Sequence, residues 1–177
     1  MRLETKDTVN QPLEKIYALM RDDLAQLAPF LPNIEKIVML EKEELKPHQH
    51  RRLNHWFAKA EIPALAKKYL KPEFFAWKDY AVWDDQEHSA EFRLESFFGK
   101  DLYEAKGKNY FRAVGDDKTE VHLCCEVTIY AQRVPGIPKF LASTILPLIE
   151  GVIVKILEPN LKSLSKGLNG YFQSKSN

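Results

Sequence analysis

The feature that most limits what this chain can fold into lies near its end. Leu146, Ile149, Ile153, Ile156, Leu157, Leu161, Leu164 and Leu168 recur at three- and four-residue spacing, which draws one aliphatic stripe along one side of a helix. Between 146 and 168 such a helix measures roughly 33 Å at about 1.5 Å per residue. A stripe of that length needs an apolar partner just as long, and no second helix in the chain is long enough to supply it. Pro147 and Pro159 fall inside the stripe and are expected to start, kink or divide the helix. The most apolar part, FLASTILPLIEGVIV (140–154), contains Pro147, Glu150 and Gly151. A spanning helix needs roughly 20 mostly apolar residues, so this segment reads as a buried helix, with transient contact to a membrane surface as the lesser alternative.

The partner has to come from strands. In EVHLCCEVTIY (120–130) the residues Val121, Leu123, Cys125, Val127 and Ile129 alternate with Glu120, His122, Cys124, Glu126 and Thr128, so one face is buried and the other wet. The same period sets Tyr103, Ala105, Gly107, Asn109 and Phe111 inside against Glu104, Lys106, Lys108 and Arg112. It also sets Ala90, Phe92, Leu94 and Ser96 inside against Glu91, Arg93 and Glu95. Four strands are predicted over 73–83, 88–97, 102–113 and 119–131, joined by the short polar turns DDQE, FGKD and VGDDKT. That spacing favours an antiparallel meander.

Upstream, RLETKDTV (2–9) reads as a first strand. Asn10 is placed to cap a helix and Pro12 suits its first turn. Leu13, Ile16, Tyr17, Met20, Leu24 and Leu27 then predict an amphipathic helix over 12–29. Strands follow at 33–45 and 51–60, a short helical insertion at IPALAKKYL (62–70), and a connector at RVPGIP. The whole is an α+β chain in one domain, 1–177: a curved antiparallel sheet of about seven strands wrapped on a long C-terminal helix, with a short helical segment after the first strand.

Composition narrows the function. A 177-residue chain with 45% hydrophobic and 29% charged residues is globular. Lys and Arg total 26 against 25 for Asp and Glu, so the basic excess of a nucleic-acid binder is missing. Cys124 and Cys125 are adjacent and point to opposite faces of a strand, so free thiols in a reducing compartment are expected. MRLETKDTVNQP lacks the apolar core of a signal peptide, and a cytoplasmic location is expected.

Several stretches together resemble the START-like superfamily, also called SRPBCC, with its helix-grip architecture. They are VNQPLEKIYALM (9–20), FLPNIEKIVMLEKEE (30–44), VGDDKTEVHLCCEVTI (114–129) and EPNLKSLSKGL (158–168). The insertion at 61–84 is similar to that of a bacterial branch. The resemblance implies a hollow between sheet and terminal helix that takes a hydrophobic or amphipathic molecule such as a lipid, isoprenoid or polyketide. It names no active site, since only some branches are catalytic.

KPEFFAWKDYAVWDD (71–85) gains meaning in that setting. Phe75, Trp77, Asp79, Ala81 and Trp83 share one strand face, and Phe74, Lys78, Tyr80 and Val82 the other. Packing alone accounts for such rings in a generic domain, whereas a helix-grip hollow gives the first face something to line. The expected ligand-binding set is Trp56, Phe75, Trp77, Trp83, Phe92, Leu94, Tyr103, Asn109, Phe111, Leu123, Val127, Ile149 and Ile153. Tyr103 and Asn109 would orient a polar group of the ligand, or else bond to nearby backbone. Asp79 conflicts with an apolar face, and is expected at an exposed strand end or paired with a base such as Arg52.

No metal or cofactor is expected. His48, His50 and His55 do not share one face, and no thiol or carboxylate completes a set with them. No nucleophile–base spacing or phosphate loop occurs. Three readings remain: a carrier, store or sensor of a small molecule; a cyclase- or aromatase-like enzyme with Asp79, Tyr103 or His55 as acid or base; and an interaction module with a filled cavity that uses 61–72 as its contact surface.

Overall fold

The computed structural model describes residues 1–59, 75–96, 103–130, 133 and 137–175. The expected insertion helix at 62–70, Phe74 and the FGKD turn lie outside the described residues. The strands are β1 (Arg2–Val9), β2 (Ile34–Lys46), β3 (Gln49–Ala58), β4 (Ala76–Asp84), β5 (Ser89–Ser96), β6 (Tyr103–Gly115) and β7 (Lys118–Ile129). The helices are α1 (Leu13–Asp22) and α2 (Ala142–Lys175). The strands form one seven-stranded antiparallel sheet in the order β1-β7-β6-β5-β4-β3-β2. From β2 to β7 each strand pairs with the next, and β1 closes against β7, so the meander and the helix-grip arrangement both hold. Three register shifts in the β2–β3 pair mark bulges that bend this flank of the sheet.

Alternation puts Val121, Leu123, Cys125 and Val127 in the interior, each 3–6% exposed. α2 answers with Ala142, Ile145, Ile149, Val152, Leu164 and Leu168 buried and Leu146, Ile153, Leu157 and Leu161 half-buried. The helix is buried on one face only. By length and composition Lys139–Lys175 is apolar enough to cross a membrane; only 24% of its most apolar window is buried and Phe140 is 79% exposed, so the expected buried helix at 140–154 is covered on one side alone.

Three local expectations are corrected. α2 neither starts nor divides at Pro147 or Pro159. At Pro159 the missing N–H leaves the Lys155 carbonyl without its helical donor, and Asn33 Nδ2 donates to that carbonyl at 2.9 Å. The Asn33 backbone N–H also donates to Asn160 Oδ1 at 3.2 Å, so one asparagine ties the start of β2 to α2. Asn33→Ala should cost about 0.5–1 kcal/mol in chemical denaturation, because water can replace the donor to this exposed carbonyl and the backbone bond to Asn160 is kept.

The second correction concerns the first helix, which stops at Asp22. Asp23 has φ −128° and ψ 24°, and Leu24–Phe30 continue as a 3₁₀ helix. Leu24 and Leu27 stay buried because three-residue spacing suits the tighter helix as well. Third, Asn10 does not cap α1. Pro12 occupies the N-cap without a side-chain bond, and the Asn10 N–H instead donates to Asn169 Oδ1 of α2.

Gly107 faces inward in β6 because a neighbour takes its side-chain space. A Cβ there would overlap the Cys124 carbonyl oxygen and come within 2.7 Å of the Phe92 ring. Gly107→Ala should therefore lower stability by roughly 1–3 kcal/mol in thermal melts, since neither strand backbone nor packed ring yields cheaply.

Candidate functional site

Between the inner sheet face and the middle of α2 lies a cavity of about 150 Å³. β4 supplies its floor with Trp77, Asp79, Ala81 and Trp83, all on one face as the period of two requires. β3 adds Trp56, β5 adds Ala90, Phe92 and Leu94, β6 adds Asn109, and β7 adds Leu123, Cys124 and Cys125. Leu157, Asn160, Leu161 and Leu164 of α2 cover it, and Met20, Leu24, Leu31 and Ile34 close one side. Cys124 has the outward parity, and the side chain absent at Gly107 accounts for its backbone reaching this wall.

Of the expected ligand-binding residues, Trp56, Trp77, Trp83, Phe92, Leu94, Asn109 and Leu123 come together on the wall. Phe75, Tyr103, Phe111, Val127, Ile149 and Ile153 pack in the core away from it. Phe111 is taken up by rings, with Tyr17 edge-on at 5.6 Å and Trp83 stacked at 5.7 Å. Tyr103 and Val127 pack with Ala105 and Cys125, where burial pushes the Tyr103 hydroxyl well above its usual range. Ile149 and Ile153 lie further toward the start of α2 than the stretch that covers the cavity. The covering residues of α2 and the four that close the side were not anticipated, because helical period gives a face and not a position along it.

Asp79 is neither at an exposed end nor paired with Arg52. It is 9% exposed, and its Oδ2 accepts a hydrogen bond from Trp56 Nε1 at 3.2 Å. Its Oδ1 has no hydrogen-bond partner among the described residues, and neither has Trp83 Nε1. Burial raises the Asp79 pKa to about 7, against a smaller opposing effect of the Trp56 hydrogen bond. Burial, aided by the charge of Asp79, likewise pushes the Cys125 thiol up to about 12, so it remains a thiol and no nucleophile. Trp56 and Trp77, directly opposite in the β3–β4 register, stack at 5.7 Å with 12° between their planes.

Arg52 instead serves the end of the sheet nearest α1. Its Nε and Nη2 donate to Asp22 Oδ1 at 2.9 and 2.8 Å, and Nη2 also to Glu44 Oε1 at 3.0 Å. Nη1 donates to the carbonyls of Glu43 and Arg51 at 3.1 and 2.9 Å. Among the histidines, His50 bridges Glu44 and Asp85, His48 sits in the β2–β3 turn with φ 68°, and His55 lies against Phe57 at 3.9 Å.

One cluster of metal-ligand types had no sequence signal, because two strands bring it together. Glu4, His122 and Cys124 converge within 4.8 Å on the outer face at the β1–β7 edge. Arg2 donates to Glu4 at 2.8 Å, and His122 Nε2 lies 2.8 Å from the same carboxylate. The guanidinium already supplies the positive charge that a metal ion would bring.

No protein-family model matches the sequence, and no curated protein matches it. Solved structures do match. A protein from Thermus thermophilus superposes with a TM-score of 0.66 at 20% identity, over 100% of both chains. The Zhui aromatase/cyclase from a Streptomyces species gives 0.66 at 15% identity, over 100% of this chain and 96% of that one. Norcoclaurine synthase from Thalictrum flavum gives 0.53 at 14% identity, over 94% and 84%. At such identities the likeness is one of fold, and the chain shares the helix-grip fold of these structures.

Proposed function

We propose that this helix-grip chain binds a hydrophobic or amphipathic small molecule between its sheet and α2, acting as one domain that carries, stores or senses it. The observation that supports this reading is the cavity itself, open over about 150 Å³ and walled mainly by aliphatic and indole side chains. An apolar cavity of about that size accepts one benzene ring. The enclosed part of a lipid-, isoprenoid- or polyketide-like ligand is therefore compact. Open space at this position also argues against an interaction module with a filled core. The free, adjacent cysteines fit a cytoplasmic protein.

Native mass spectrometry of the purified chain, followed by extraction of whatever co-purifies, tests the reading directly. A retained small molecule, or a melting-temperature rise with members of a lipid and polyketide panel, is expected. A chain that stays empty and shows no rise with any of them would count against it. Ala81→Leu places a branched side chain in mid-floor between Asp79 and Trp83. It should weaken binding at least about tenfold while changing stability by less than about 1–2 kcal/mol.

The enzymatic reading keeps one observation in its favour. Asp79 has the only carboxyl group among the described residues of the wall, and its pKa of about 7 suits a general acid or base at neutral pH. Tyr103 and His55, the two further acid or base candidates, stand off the wall. A cyclase-like reaction would lose turnover and keep binding in Asp79→Asn. Unchanged turnover in that variant would remove Asp79 from the chemistry.

A further inference from the structure

We infer that the cavity selects a compact hydrophobic amine, with its protonated nitrogen held against Asp79 beside the indole rings of Trp56 and Trp77. This deepens the small-molecule reading and rests on it.

An unmet acceptor on the wall points to such a ligand. Asp79 Oδ1 is buried with no hydrogen-bond partner among the described residues. Asn54, 2% exposed and directly opposite Asp79 in the β3–β4 register, also holds a buried side-chain oxygen without one. Asn54 does not line the cavity, so the unmet acceptor that a ligand there meets is Asp79 Oδ1. Trp56 Nε1 occupies the other oxygen of Asp79, and Oδ1 is left for a donor from elsewhere.

Charge selects among donors. No Lys, Arg or His is among the described residues of the wall, and the five N–H groups of nearby Arg52 are engaged with Asp22, Glu44 and two carbonyls. A ligand carboxylate or phosphate would set a second negative charge beside the first, inside an apolar wall. A hydrocarbon would leave Asp79 Oδ1 without a donor. A protonated amine supplies the missing positive charge and up to three donors at once. The cavity volume of about 150 Å³ limits the body of such a ligand to about one ring and a short arm.

Three probes of nearly equal size separate these cases: phenethylamine, 2-phenylethanol and phenylacetate, titrated calorimetrically into the full chain at neutral pH, with naphthalene as an uncharged reference. Phenethylamine is expected to bind at least about tenfold tighter than phenylacetate, and tighter than 2-phenylethanol. Asp79→Asn should erase the preference for the amine and leave 2-phenylethanol binding in place. Should that variant not fold, the ranking in the unaltered chain decides alone. Phenylethanol or phenylacetate binding as well as the amine would overturn the inference and leave the ligand site standing. So would naphthalene binding when none of the three does, and so would an amine preference that survives Asp79→Asn. If none of the four binds, the inference falls, and the small-molecule reading is decided by the lipid and polyketide panel.

Discussion

Replacing Arg52 with alanine is expected to lower the unfolding free energy by about 3–4 kcal/mol, one of the two largest effects foreseen for a single substitution in this chain. On a domain of this size that is a fall of roughly 6–16 °C in melting temperature. The side chain is 1% exposed, and all five of its N–H groups are used: two on Asp22, one on Glu44, and two on the carbonyls of Glu43 and Arg51. Removal leaves two part-buried carbonyls without that donor and opens a cavity where the guanidinium lay. Asp22 is not abandoned, because Arg21 at 2.8 Å and Lys42 at 3.2 Å still reach it, which keeps the expected loss below the top of the range for a broken buried pair. Arg52→Lys should recover only part of it, since an ammonium has three donors and no fork.

The pH dependence of the same variant identifies the cause. Burial alone would raise the Asp22 carboxyl, but hydrogen bonds from Arg21, Arg52 and Lys42 hold it down to about 2 from an ordinary 3.8. A depressed carboxyl contributes stability above its unfolded value and loses it as pH falls toward the folded one. The gap between the unaltered chain and Arg52→Ala should therefore be widest near neutrality and narrow between about pH 4 and pH 2. A gap independent of pH in urea titrations would mean that lost packing, and not the ion pair, sets the cost.

Arg52 also marks how far the sequence could be read. Period-two patterning found the inner faces of β5 through β7, because one-sided burial writes itself into every second residue, and it split β4 into two faces without fixing which one turns inward. The stripe of α2 and its need for a concave partner were legible because one-sided burial also leaves its mark at helical period. The 3₁₀ segment after Asp22 was hidden, because Leu24 and Leu27 fit an α-helical spacing and a 3₁₀ spacing equally well. The partner of Arg52 was also hidden, because Asp22 lies 30 residues away on a helix whose angle to the sheet no pattern encodes. The site divides along that line. Strand parity set Trp77 with Trp83 and Phe92 with Leu94, whereas the faces of the strand that carries Trp56 do not separate by polarity, and the place along α2 where the helix stands off the sheet depends on tertiary packing. The Glu4–His122–Cys124 cluster needed the β1–β7 register, a pairing between the first and last strands.

Asp79→Asn is expected to stabilise the ligand-free chain at pH 8 and to leave it nearly unchanged at pH 4. In the native state burial raises the Asp79 pKa from 3.8 to about 7. A carboxyl raised in this way favours folding while protonated in both states, and its contribution is lost as pH rises from about 4 through about 7. The native state then holds an ionised group that the unfolded chain solvates better. Three pKa units correspond to on the order of 4 kcal/mol, so a gain of about 2–4 kcal/mol is expected from Asn at pH 8, or roughly 5–15 °C in melting temperature. Asn keeps the shape, its amide oxygen can still accept from Trp56 Nε1, and its NH₂ faces the unmet oxygen of Asn54 across the strand pair. Cys125, the other buried titratable group on that part of the wall, stays a neutral thiol through this window because its pKa is about 12. Paired melts of the two chains at pH 4 and pH 8 isolate the Asp79 contribution, since every other titration cancels in the difference. Equal shifts at both pH values would mean that Asp79 is solvated in solution. A gain confined to high pH would mean that the chain carries a destabilising carboxylate at the centre of its cavity. A protonated amine bound against Asp79 would offset that cost, so phenethylamine should raise the melting temperature of the unaltered chain at pH 8 and do little for Asp79→Asn.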